Sequence, residues 1–146
     1  IPEAYEALIR DRPGVYDAYY VEDFCALSEG KKEEIESWQC DCMVTVAALG
    51  FGDIPTKAFV NAFNIISNEG WVAFNIKDTF LDSSDETGFS KLIRELIFSK
   101  YLDVYHIERY RHRLSVDGEP LHYFAVVGRK NAAISSEFIE SKGIVF

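Results

Sequence analysis

Cysteine, histidine and basic side chains are all in short supply here, and each shortage removes a class of protein. Cys25, Cys40 and Cys42 are the only thiols in 146 residues. An odd, sparse set in a chain of this size is not a disulfide framework. Cys40 and Cys42 stand two apart on a stretch with strand character, so they share one side and read as small apolar packing residues. Of the three histidines, His112 and His122 could meet across an expected hairpin, but no cysteine or clear carboxylate joins them. A closed metal site needs four ligands, so no metal is expected. Fifteen Lys and Arg against 24 Asp and Glu leave a formal charge of −9. That charge repels phosphate backbones and anionic lipid, making nucleic acid and membrane surfaces poor general partners. No apolar run reaches the roughly 20 residues that span a bilayer. No signal peptide is visible, and a cytoplasmic location is expected. Phosphate loops ending in Gly-Lys-Ser/Thr, serine elbows and nucleophilic cysteine motifs are all missing.

What is present suits one folded domain. Hydrophobic residues make up 48% of the chain and aromatics 14%, which supports a core and argues against disorder. Residues 2–12 carry a short apolar face at helical spacing (Ala4, Ala7, Leu8, Ile9), stopped by Pro13-Gly14. Tyr16–Glu22 has the Tyr and Val content of a strand. Lys31–Trp38, KKEEIESW, reads as a short exposed helix with a solvated charged face. Asp41–Ala48 is nearly continuous in apolar residues, the pattern of a strand buried on both faces.

Pro55 suits a first helical position. Phe59, Ala62, Phe63 and Ile66 then repeat at helical spacing, and Asn68-Glu69-Gly70 closes that helix. Trp71–Ile76 is the next strand. Beyond the polar loop Asp82–Asp85, a helix from about Thr87 has the stripe Phe89, Leu92, Ile93, Leu96 and Ile97. Asp117-Gly118 separates Tyr105–Val116 from Leu121–Gly128, a hairpin signal. Residues 131–146 form a tail without an assigned role, and no internal repeat or linker divides the chain. Alternation of strands and helices predicts an α/β layer fold with a mostly parallel sheet and a terminal antiparallel hairpin.

Two parallel strands joined through a helix place ligands at their carboxyl ends, here Ala47–Asp53. Gly50-Phe51-Gly52 suggests a dinucleotide loop, but the third glycine position of that fingerprint is Pro55, and a plain strand-to-helix turn reads better. Arg109, Arg111 and Arg113 share a strand face and read by default as a solvated edge. Glu22-Asp23-Phe24 closes the expected strand Tyr16–Glu22. A carboxylate there can accept from an adenine amino group, although such residues are commonly turn or cap residues.

Four segments carry a resemblance: GVYDAYYVEDF at 14–24, CDCMVTVAALGFGDIP at 40–55, GWVAFNIKD at 70–78 and ERYRHRLSVDGEPLHYFAVVGRK at 108–130. In that order they resemble S-adenosylmethionine-dependent methyltransferases of the Rossmann-like class, of the small-molecule type, from about Gly14 to Lys130. The resemblance implies S-adenosylmethionine as methyl donor and a small-molecule acceptor. It makes Asp23 the adenine-reading carboxylate, Phe24 its neighbouring backbone and stacking contact, and Ala47, Ala48 and Leu49 the donor-side loop. Phe51, Lys77, Tyr110 and Tyr123 would face the acceptor, and His112, His122 and Tyr123 are the candidates for a base. The family's glycine-rich loop, first helix and ribose-binding strand have no counterpart. Residues 1–130 are therefore expected to be the carboxyl-terminal part of such a domain, with 131–146 as a tail. Without those units an apolar sheet edge is exposed, open to pairing in a homo-oligomer. The alternative function is a non-catalytic interaction or regulatory module. A dinucleotide-dependent oxidoreductase is disfavoured by Pro55.

Overall fold

A computed structural model describes residues 2–52 and 54–146. Asp53, the last residue of the expected ligand edge, lies outside the described residues. The elements run α1 (Pro2–Asp11), α2 (Glu29–Glu36), β1 (Cys42–Leu49), α3 (Thr56–Ile65), β2 (Trp71–Lys77), a short 3₁₀ turn (Asp78–Phe80), α4 (Phe89–Phe98), β3 (Leu102–Leu114), β4 (Pro120–Lys130) and α5 (Ser136–Ser141). Among the described residues four strands form an open sheet in the order β1-β2-β4-β3. β1 and β2 are parallel, as a crossover through α3 requires, while β4 is antiparallel to both β2 and β3. The sheet is therefore mixed, with one parallel pair among three, rather than mostly parallel.

Its core lies on one face. Val72, Phe74 and Ile76 alternate along β2 and meet Phe59 and Phe63 of α3 and Phe89, Leu92, Ile93 and Leu96 of α4. The α4 stripe read from the sequence is buried, with Ile97 packed against its margin. The tail adds Ile134, Ile139 and Ile144 to the same core. Lys130 ends β4 with its ammonium buried beneath α3, donating to the carbonyls of Asn64 and Ile66. α3 begins one residue later than expected, with Pro55 as the capping residue whose carbonyl accepts from Phe59 N–H. The hairpin forms around Asp117-Gly118, its strands running further from the turn than the pattern suggested.

Three further expectations fail. Residues 16–22 make bends and coil rather than a strand, with Tyr16 64% and Val21 41% exposed. Side chains anchor this neighbourhood instead: Trp38 Nε1–H donates to Tyr20 Oη, and Asn61 Nδ2–H to the Phe24 carbonyl. β-propensity does not make a strand where no ladder partner is found. β1 is not buried on both faces: it is an edge strand whose Val44 and Val46 are each 64% exposed, because the packed helices cover only the other face. Cys40 and Cys42 are exposed thiols at that edge rather than packing residues.

Candidate functional site

The carboxyl end of β1 departs from regular strand geometry. Pairing with β2 shifts register between Thr45 and Leu49, and Ala47 there adopts φ +55°. Ala47 N–H leaves the ladder and donates to Asn75 Oδ1 on β2. Leu49 turns inward and is 1% exposed. Gly50 follows with φ +88°, and a Cβ on it would lie 2.3 Å from the Phe80 ring. Phe51 meets the same ring edge-on at 4.9 Å. The loop after β1 is thus clamped against the turn after β2.

A cavity of about 590 Å³ opens beside β1, within the range of small-molecule sites. Segment 22–24, Met43, Leu49 and the α3 side chain Phe59 form its walls. Asp23, a residue of those walls, accepts at Oδ1 from Cys25 N–H at 2.8 Å in a tight local turn, and its Oδ2 makes no hydrogen bond among the described residues. Asp23, Phe24 and Leu49 therefore come together around one space. Asp23 stands in a loop, however, not at a strand end. Ala47 and Ala48 sit on the strand end beside that space without lining it.

A second cluster lies across the sheet. Asn75, 8% exposed, donates from Nδ2 to Tyr110 Oη at 2.7 Å. Tyr110 Oη lies 3.0 Å from His112 Nδ1. The His112 ring packs on Tyr123 with centroids 4.4 Å apart. Tyr123 of β4 stands opposite both Lys77 of β2 and Tyr110 of β3, so these three share a face. His122, next to Tyr123 on β4, points to the other face and pairs in register with Arg111; it does not meet His112. Arg109, Arg111 and Arg113 are all exposed on an edge strand, Arg109 binding Asp78 at 2.8 Å.

Asn75 was not among the sequence candidates. Its signal was a carboxamide between Phe74 and Ile76 in an apolar strand, where a buried polar group must find partners. Among the described residues no group of three His, Cys, Asp or Glu could hold a metal ion. No helix among them is long and apolar enough to cross a membrane.

No protein-family model matches the chain, and no curated protein matches it by sequence. Among solved structures it is similar to the N-methyltransferase NodS from Bradyrhizobium japonicum in complex with S-adenosyl-L-homocysteine. The TM-score is 0.55 at 12% identity, covering 89% of this chain and 63% of NodS. A second NodS structure gives 0.53 at 15% identity, covering 90% and 70%. The chain thus has the open, mixed α/β sheet of a Rossmann-like methyltransferase fold, and in the first alignment it spans less than two thirds of NodS.

Proposed function

We propose that this chain takes part in methyl transfer from S-adenosylmethionine to a small-molecule acceptor. The observation that carries the reading is the meeting of Asp23, Phe24 and Leu49 around one cavity flanked by α3 and by β1, the first strand of the parallel pair. The residues suit the group: Phe24, Met43, Ile54 and Phe59 offer apolar walls to a purine, and Asp23 Oδ2 an acceptor for its amino group. NodS, of the same fold, is an N-methyltransferase crystallised with S-adenosyl-L-homocysteine. The donor supplies an electrophilic methyl group, and the chain's part is proximity and orientation. Tyr110, Tyr123, Phe51 and Lys77 belong to the acceptor side in this reading. A cytoplasmic setting would keep the three thiols reduced.

Calorimetric titration with S-adenosyl-L-homocysteine tests the reading. One site per chain is expected, and Asp23→Asn, which keeps the acceptor for Cys25 N–H, should weaken binding by roughly 1–3 kcal/mol. No heat, together with unmoved amide resonances at 22–24 and 47–49, would remove it. The alternative, an interaction module, draws on the free edge of β1, where Val44 and Val46 are exposed and uncharged. A homo-oligomer paired through that edge would be dispersed by a lysine at Val44, a change that sedimentation reads directly.

A further inference from the structure

We propose that Asn75 is a positioning residue that sets the direction of a hydrogen-bonded chain running from the β1 backbone to His112, and that this chain draws a proton from the acceptor. The chain starts at a group whose polarity is fixed: Ala47 N–H can only donate, so the Asn75 atom facing it is Oδ1. The carboxamide then has one orientation, and its Nδ2 must donate to Tyr110 Oη, 2.7 Å away. With that oxygen already accepting, the phenolic O–H is directed to the remaining neighbour, His112 Nδ1, at 3.0 Å. Neutral His112 consequently carries its proton on Nε2 and keeps Nδ1 as a base.

The proton step rests on the methyl-transfer reading; the polarity of the chain does not. With the donor bound, its sulfonium would supply the electrophilic methyl group, and an amine or hydroxyl acceptor would have a proton to lose. The acceptor's proton passes to Tyr110 Oη, and the phenolic proton passes to His112 Nδ1. The imidazolium so formed would keep its ring against Tyr123. Such a chain serves an acceptor that loses a proton on methylation, an amine or a hydroxyl, and has no use for a thioether or tertiary amine. In that reading Tyr110 would meet an acceptor lying on the sheet face opposite α3, and Asn75 and His112 act through it.

Nitrogen-15 spectroscopy of the full chain, without donor or acceptor, tests the polarity. Wild-type His112 should show the Nε2–H tautomer with Nδ1 shifted as a hydrogen-bond acceptor. In Asn75→Asp the new carboxylate can accept from Ala47 N–H but cannot donate. Tyr110 should then donate to it, and His112 should turn to carry its proton on Nδ1. Tyr110→Phe, which leaves Asn75 in place, should return Nδ1 to the resonance of an unbonded ring nitrogen. An Nδ1–H tautomer in the wild type, an unchanged tautomer in folded Asn75→Asp, or an unmoved Nδ1 in Tyr110→Phe would each overturn the proposal. Failure to bind S-adenosyl-L-homocysteine with these signatures intact would instead remove only the methyl-transfer reading.

Discussion

Lys130 Nζ donates to the Ile66 carbonyl at 2.5 Å, holding a charge at the end of α3 in a side chain only 1% exposed. A second bond reaches the Asn64 carbonyl at 3.0 Å, and the ammonium lies 5.5 Å from the Phe63 ring centre. Helix carbonyls left over at a carboxyl terminus need donors, and the helix dipole favours a cation there. Burial holds the Lys130 pKa below the ordinary lysine value, with Glu36 opposing it weakly.

Replacing Lys130 with Met keeps the apolar stem and removes both bonds. The loss of two buried acceptors' partners should cost about 1–3 kcal/mol, read as a lower urea midpoint at unchanged slope. Equal midpoints would mean that water satisfies those carbonyls as well as the ammonium does.

Gly50 and Gly52 separate a backbone effect from a contact. Both have positive φ, +88° and +90°, but only Gly50 has the Phe80 ring where a Cβ would go. Gly52→Ala should cost only the left-handed backbone penalty of roughly 1–2 kcal/mol. Gly50→Ala should cost more, and in a Phe80→Ala background, where the ring's own packing is already lost, the excess should vanish while the backbone part remains. Thermal unfolding of the wild type, the three single variants and the Gly50→Ala/Phe80→Ala pair checks the order, and equal losses at the two glycines would contradict the clamp described above.

Acid should loosen the molecule through particular carboxylates. Lys142 at 3.0 Å holds Glu95 below its ordinary value, backbone and hydroxyl donors of Ser84 do so for Asp82, and Glu137 is lowered by its own N–H and by Ser135. A folded pKa below the unfolded one adds stability above the unfolded value, about 4.3 for Glu and 3.9 for Asp. That contribution is lost as the pH falls through the lowered folded values. Unfolding midpoints should therefore be flat from pH 7 to about 5 and drop below it, with a shallower drop in Glu95→Gln. Parallel curves for the two proteins would take Glu95 out of the account.

The parts of the fold legible in the sequence are those fixed by local chemistry or by a wide apolar stripe. The α4 stripe and the Asp117-Gly118 hairpin are of this kind, because their patterns have few competing solutions. What failed depended on neighbours. Tyr16–Glu22 has strand composition, but a ladder partner cannot be read from a single segment. β1 has the composition of a central strand and the position of an edge. The site divides similarly. Asp23, Phe24 and Leu49 came from the order of motifs and do share a cavity. The Asn75 bridge depends on a register shift in β1 and on an alignment across three strands, neither of which leaves a mark in sequence spacing.

β1 is held by one neighbour, while β2 and β4 are each held by two. Opening it breaks a single ladder and uncovers one flank of the core, so its amides should exchange with solvent through excursions smaller than global unfolding. The same strand, through Met43, Val44, Thr45 and Leu49, forms a wall of the cavity. Anything that settles there must stabilise the least secured strand of the sheet. Occupancy would therefore be recorded as slowed exchange in β1, a report from the protein itself even where the occupant is spectroscopically silent.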